Sequence, residues 1–268
     1  MDSLATVEQW PVDHAAVAVV APGGVVATRG PQERSFGLAS VTKILTALAV
    51  LVAVEEGIVA LEDEAGPRGA TVAHLLAHAS GLGLDGARLA APGRRRIYSN
   101  AGIETVAELV AERAGMPFAT YAAEGVFAPL GMTATAITGS PAWRASSTAA
   151  DLSAFARELL APTLVSEKTL AGATTVAFPG LTGIMPGFGR QEPNDWGLGF
   201  ELRDHKTPHW TGSRNSPATF GHFGRYGSFL WVDPEAATGL VVLTDREFGS
   251  WAVEAWPALS DAVLAERL

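Results

Sequence analysis

Two short runs rich in β-branched residues, Ala15 to Val20 and Val25 to Arg29, flank Pro22-Gly23-Gly24 and predict a hairpin. The apolar run from Phe36 to Val54 is broken by one charge, Lys43; it predicts a central helix, apolar nearly all round, that carries Ser40 and Lys43 and stops at Glu55-Glu56-Gly57. From about Thr71 to Leu160 helical spacing dominates. Helices are expected over Val72 to Ala79, stopped by Gly81, over Asn100 to Ala114, stopped by Gly115 and Pro117, and over Ala149 to Leu160. In the second, Ile103, Val106, Ala107 and Val110 share a face while Glu104, Glu108 and Glu112 point away. In the third, Thr148 and Asp151 have capping-box spacing ahead of Leu152, Phe155 and Leu159. Residues 162–217 are rich in Gly, Pro, Thr and Asn and read as loops bordering a cleft. Strands return at Gly227 to Val232 and Gly239 to Thr244, followed by a helix from about Trp251 to Arg267. The pattern predicts an α/β (α+β) fold: one antiparallel sheet built from both chain ends and a helical insertion between them. A single domain, 1–268, is expected, with a sheet part at about 1–62 and 205–268 and a helical part at about 63–204.

Composition narrows the function. With 268 residues, 48% hydrophobic and 18% charged, the chain can bury a large core. A net charge of -9 argues against nucleic acid or an anionic membrane surface as partner, which leaves a small molecule or peptide. The absence of cysteine removes disulfides, thiolate catalysis and cysteine-ligated metals. The first residues show neither a basic n-region nor an apolar h-region, and Ile44 to Val54 is too short to span a bilayer, so a cytoplasmic protein without membrane partner is expected. Oligomeric state is not legible.

Only three lysines occur, Lys43, Lys168 and Lys206, and the one set in an apolar run needs a reason. Serine is a poor nucleophile without a base in reach. Ser40, one helical turn before Lys43, shares its face. Apolar surroundings and the positive end of the helix dipole disfavour the ammonium form and push Lys43 toward a usable base. The Ser40 backbone N–H, near the helix start, is placed to meet an oxyanion. The plainer alternative is a capping serine and a lysine snorkelling to the surface.

Two further elements complete a constellation. Tyr98-Ser99-Asn100 lies just ahead of a helix: a tyrosine near a cation is expected to have a lowered pKa and to shuttle protons, and Asn100 offers an amide to orient lysine and substrate. Its plainer reading is a packed tyrosine and a helix cap. His222-Phe223-Gly224 places a cation or donor on a sheet edge, with Gly224 allowing close approach and Arg225 supplying a second oxyanion N–H. Lys206-Thr207-Pro208 and Ser213-Arg214-Asn215 rank below it. His74 and His78 lack a third metal ligand and read as packing residues, as do His205 and His209; no metal or cofactor is expected. Arg94 to Arg96 read as solvated charges.

Ser-Val-Thr-Lys, Tyr-Ser-Asn and His-Phe-Gly, in this order and at these separations, resemble the three motifs of the serine β-lactamase/penicillin-binding-protein superfamily, in its class C β-lactamase and family VIII-type serine esterase branch. Similar text recurs at His74 to Leu82, Pro92 to Asn100, Pro129 to Met132, Ser147 to Asp151 and Trp196 to Phe200. The resemblance implies a β-lactamase/transpeptidase-like fold with an all-helical subdomain. It also implies Ser40 as acylated nucleophile, Lys43 and Tyr98 as the proton-transfer pair, Asn100 as positioning residue, and His222 in place of the third-motif lysine. Which of Lys43 and Tyr98 is the base is left open, since coupled groups titrate together. Phe223 removes the third-motif hydroxyl and His222 is a weaker, pH-dependent cation, both of which weigh against a β-lactam carboxylate. Residues 61–71 and 83–91 look trimmed. The expectation is a serine hydrolase forming an acyl-enzyme on a small ester or amide. The alternatives are a true β-lactamase or D-alanyl-D-alanine carboxypeptidase, and a non-catalytic binding or sensor domain.

Overall fold

A computed structural model describes residues 1–267. In chain order the elements are β1 (Ala15–Ala21), β2 (Gly24–Arg29), β3 (Phe36–Gly37), α1 (Thr42–Glu55), α2 (Val72–Leu76), α3 (Asn100–Ala114), α4 (Phe118–Ala122), β4 (Ala136–Ile137), β5 (Ala145–Ser147), α5 (Ala149–Leu160), α6 (Glu167–Ala173), β6 (Gly183–Met185), β7 (Gly189–Gln191), β8 (Glu201–Leu202), β9 (Phe220–Gly224), β10 (Ser228–Asp233), β11 (Thr238–Thr244) and α7 (Ser250–Arg267). Six strands form an antiparallel sheet in the order β2-β1-β11-β10-β9-β8, so the two chain ends interleave at its centre.

The central strands are continuous apolar runs because both sheet faces are covered. Side chains alternate between faces with a period of two. On β1, Ala16, Ala18 and Val20 join the core that includes α1 and α5. Val17 and Val19 join a second core with Phe229, Trp231 and the α7 residues Trp256, Leu259 and Val263. Register matches the pattern, Val17 lying opposite Val242 and Val19 opposite Leu240. Helix α1 is buried from Thr42 to Ala53, as its lack of a polar face requires.

The middle of the chain is mainly helical, with short strands: β3-β5-β4 pair in one small sheet and β6-β7 in another. Helices α3 and α5 have the expected bounds, each with a side-chain cap, Ser99 accepting from the Gly102 N–H and Thr148 from the Asp151 N–H. Helix α2 ends at Leu76, short of the expected Ala79, because His78 adopts the left-handed region at φ +53. The stretch read as loops contains α6, capped by Ser166, the β6-β7 hairpin and the edge strand β8. Among the described residues no helix is long and apolar enough to cross a membrane.

Candidate active site

The chain reaches the site through β3, which pairs with β5, and then turns sharply: Ala39 sits at φ +45, a conformation disfavoured for a residue with a Cβ. Ser40 follows on a 3₁₀ turn, Ala39–Val41, and the α-helix begins only at Thr42. Ser40 therefore precedes the helix that was expected to carry it. The i, i+3 relation survives, and Lys43 Nζ lies 3.3 Å from Ser40 Oγ.

Lys43 is fully buried. Its amine donates to Asn100 Oδ1 at 2.7 Å and to the Ala142 carbonyl at 2.9 Å. A neutral amine has two N–H donors and one lone pair. As an ammonium Lys43 donates to the Ser40 oxygen as well; in the neutral form, with both donors engaged by pure acceptors, the lone pair is left for the Ser40 hydroxyl. Burial pulls the Lys43 pKa down to about 7, against the opposing charge of Glu104. Asn100 is free for this contact because Ser99 provides the cap of α3, its hydroxyl also donating to the Gly83 carbonyl at 2.7 Å. Glu104, one turn along α3, was read as pointing away; it instead accepts from the Ser140 hydroxyl, whose oxygen accepts the Ala142 N–H at 3.2 Å.

Tyr98 lies beside this pair, Lys43 Nζ standing 4.7 Å from its ring centroid. The expected lowering of its pKa is overturned: burial raises the phenol above its ordinary value, with the Ser40 hydroxyl opposing. A group out of water resists charging more than a nearby cation can offset. The phenol oxygen is 3.3 Å from His222 Nε2. His222 was expected as a cation or donor; burial, and then Lys43, hold its pKa down to about 3, so the ring is not a cation near neutral pH.

His222 lies on β9, the second strand from the sheet edge. Strand β8 covers only Phe220 and Gly221, so from His222 to Gly224 the outer side of β9 has no strand partner among the described residues. Gly224 abuts the turn that carries Ser40: a Cβ there would sit 2.3 Å from the Leu38 carbonyl oxygen and 3.2 Å from the Ser40 nitrogen. The Arg225 side chain faces outward to Glu247 at 3.4 Å, and its carbonyl accepts from the Phe248 N–H at 2.8 Å. Ser40, Tyr98, Asn100, His222 and Arg225 line one cleft of about 610 Å³. Its walls are apolar and include Leu84, Trp143, Met185, Trp196, Phe223 and Phe248.

The structure adds to the sequence reading for several residues around the site. His78 packs edge-on to Trp196 and against Tyr98, ring centroids 4.6 and 4.7 Å away, and its Nδ1 accepts from the Ser99 N–H. This agrees with its reading as a packing residue; its place beside Tyr98 and Trp196 is what the sequence did not give. Arg96, read as solvated, is buried and donates to the carbonyls of Asn194, Ala77, Ala177 and Phe178. Glu201 borders the cleft with its carboxylate bound by Lys206, by His209 Nε2 at 2.9 Å and by Trp210 Nε1 at 2.8 Å. Trp143 and Trp196 line the cleft, whereas Trp210 and Trp231 are core residues.

Comparison with known proteins places this geometry. A crystal structure of a beta-lactamase from Mycobacterium bovis is 56% identical, covers 99% of both chains and superposes with a TM-score of 0.98. Simvastatin synthase from Aspergillus terreus covers 99% of both chains at 16% identity, TM-score 0.84. EstCE1, a hydrolase with promiscuous acyltransferase activity, covers 98% of this chain and 96% of its own at 17% identity, TM-score 0.80. At such identities the last two share the fold alone. Penicillin-binding protein 4* of Bacillus subtilis (strain 168) is 28% identical over 136 residues, 38% of this chain and only 30% of that relative's length. The family model for Beta-lactamase matches residues 9–264, a span that includes every element from β1 to the last turns of α7, and the chain belongs to that family.

Proposed function

We propose that the protein is a serine hydrolase that forms an acyl-enzyme at Ser40 on small, uncharged esters. The observation that carries this reading is the environment of Lys43: Asn100 Oδ1 and the Ala142 carbonyl accept from its amine, which lies 3.3 Å from the Ser40 oxygen, so in the neutral form its lone pair faces Ser40. With its pKa down to about 7, Lys43 is a base matched to neutral pH. Because burial opposes ionisation of Tyr98, the base role falls to Lys43.

In the first half-reaction the Lys43 lone pair takes the Ser40 proton and Oγ attacks the ester carbonyl carbon. The carbonyl π electrons move to oxygen, and the backbone N–H groups of Ser40 and Arg225 receive that oxyanion. Collapse breaks the carbon–alkoxide bond, and the leaving oxygen takes a proton from the Lys43 ammonium. Water then attacks the acyl-enzyme with Lys43 again as base, releasing acid and regenerating Ser40.

Esters are favoured because the cations near the cleft are engaged. Lys206 is bound to Glu201, Arg225 faces Glu247 at the exposed rim, and His222 is neutral. A substrate carboxylate would meet mostly apolar walls. β-Lactam hydrolysis is the second reading, favoured by the 56% identical Mycobacterium bovis protein. Turnover of a short-chain p-nitrophenyl ester, turnover of nitrocefin and labelling by a fluorophosphonate, each with Ser40→Ala in parallel, test both. Ester turnover and labelling that vanish in Ser40→Ala are expected. Turnover surviving the substitution sinks the assignment, and nitrocefin turnover without ester turnover transfers it to the second reading.

A further inference from the structure

We propose that His222 is a positioning residue that works as a neutral hydrogen-bond acceptor: its Nε2 accepts the hydrogen bond of the Tyr98 hydroxyl and so turns the phenol oxygen's lone pairs toward Ser40 and Lys43. The assignment of a role in turnover rests on the hydrolase reading above, whereas the direction of the bond does not. It follows from which atoms surround the ring.

His222 Nδ1 lies 2.6 Å from the carbonyl oxygen of Phe223. A carbonyl only accepts, so Nδ1 carries the hydrogen, and in a neutral imidazole Nε2 is then a bare lone pair. The sole polar partner of that nitrogen among the described residues is the Tyr98 oxygen at 3.3 Å. The phenol must donate. Ionising the ring would need a free carboxylate nearby. The groups facing it are Lys43 on α1, His78 and Tyr98 from the loops before α3, Trp196 with its ring centroid 5.5 Å away, and Glu201 on β8. Glu201 is already taken by Lys206, His209 and Trp210.

The consequence distinguishes this site from one with lysine at the same position. An ammonium has donors only, so it would point a hydrogen at the Tyr98 oxygen and force the phenol proton toward Ser40. Histidine and lysine at position 222 are therefore opposite in effect although both are nominally basic. The Phe223 carbonyl is the built-in feature that fixes its tautomer.

Two measurements test this. Nitrogen-15 NMR of the wild-type protein should show His222 protonated at Nδ1 and bare at Nε2, unchanged between about pH 5 and 9. A hydrogen at Nε2, or an imidazolium in that range, overturns the proposal. Because this readout needs no substrate, it stands even where no ester is turned over. In kinetics, His222→Gln, whose amide oxygen also accepts, should keep kcat within about tenfold of wild type. His222→Lys should lose about 100-fold in kcat with KM nearly unchanged, a difference of the size one directed hydrogen bond makes. A lysine variant as active as the glutamine variant, or more so, contradicts the acceptor role.

Discussion

Lys43 is fully buried on α1 and Lys206 almost so in the loop after β8, yet the atoms around the two amines differ in kind. Lys206 donates to the Asp195 carbonyl at 2.6 Å, to the Leu202 carbonyl and to the Glu201 carboxylate, three acceptors for the three hydrogens of an ammonium. Burial lowers its pKa and Glu201 opposes that; burial alone would raise Glu201, but Lys206 and His209 hold it down to about 2. Lys43 has two acceptors and a hydroxyl, and no carboxylate bonded to it. The same side chain, buried at both sites, is held as an ion pair at one and, on the proposed mechanism, serves as a base at the other. Burial alone does not make a catalytic lysine; the count and charge of its partners decide.

The comparison is broken most forcefully by removing each amine in turn. Lys43→Met should lower ester turnover about 10²–10⁴-fold, the range of a general base, while the protein gains roughly 1–3 kcal/mol at pH 7 after Asn100 and the Ala142 carbonyl lose their donor. The sign follows from linkage. Lys43 titrates near 10.5 when unfolded and near 7 when folded, so between those values the unfolded chain binds more protons and wild-type stability rises with pH. The advantage of Lys43→Met should shrink accordingly by pH 10.5, as seen in denaturant titrations. Lys206→Met should do the reverse, costing roughly 3–5 kcal/mol by stranding Glu201.

Asn100→Asp converts one environment into the other. A carboxylate 2.7 Å from Nζ should restore the ammonium, reducing kcat/KM at pH 7 by about 10- to 100-fold with recovery toward pH 9. Gly224→Ala leaves both lysines alone but pushes on the Leu38 carbonyl and the Ser40 amide; about a tenfold loss in acylation with unchanged pH midpoint is expected in single-turnover assays. The smallest effect belongs to Glu104→Gln. Its charge raises the Lys43 pKa, so its removal should move the acid limb of the rate profile to lower pH and about double kcat/KM at pH 6.

The sequence carried what depends on period and spacing. The strand runs of β1, β10 and β11, the bounds of α3 and α5, and the proximity of Ser40 to Lys43 all follow from local pattern. It missed what depends on long-range enclosure. Arg96 reads as one of three surface charges, and nothing local says that four carbonyls from distant segments close around it. Tyr98 was assigned a shift from a neighbouring cation and His222 was read as a cation or donor, but the rings packed around them, Trp196 and His78, come from segments far apart in the chain. Lys206 was ranked below His222 with no reason for its place; that reason, the pairing with Glu201, is visible only once β8 joins the sheet.

The claim that Lys43 is the neutral base and Lys206 the fixed cation is tested most directly by the rate of fluorophosphonate labelling at Ser40, followed by intact mass across pH. The account predicts a rate that climbs tenfold per pH unit and levels off above a midpoint near 7, with that midpoint raised in Asn100→Asp. A midpoint near 10, or a rate indifferent to pH, would contradict it, since Lys43 would then be an ammonium like Lys206 or take no part in activating Ser40.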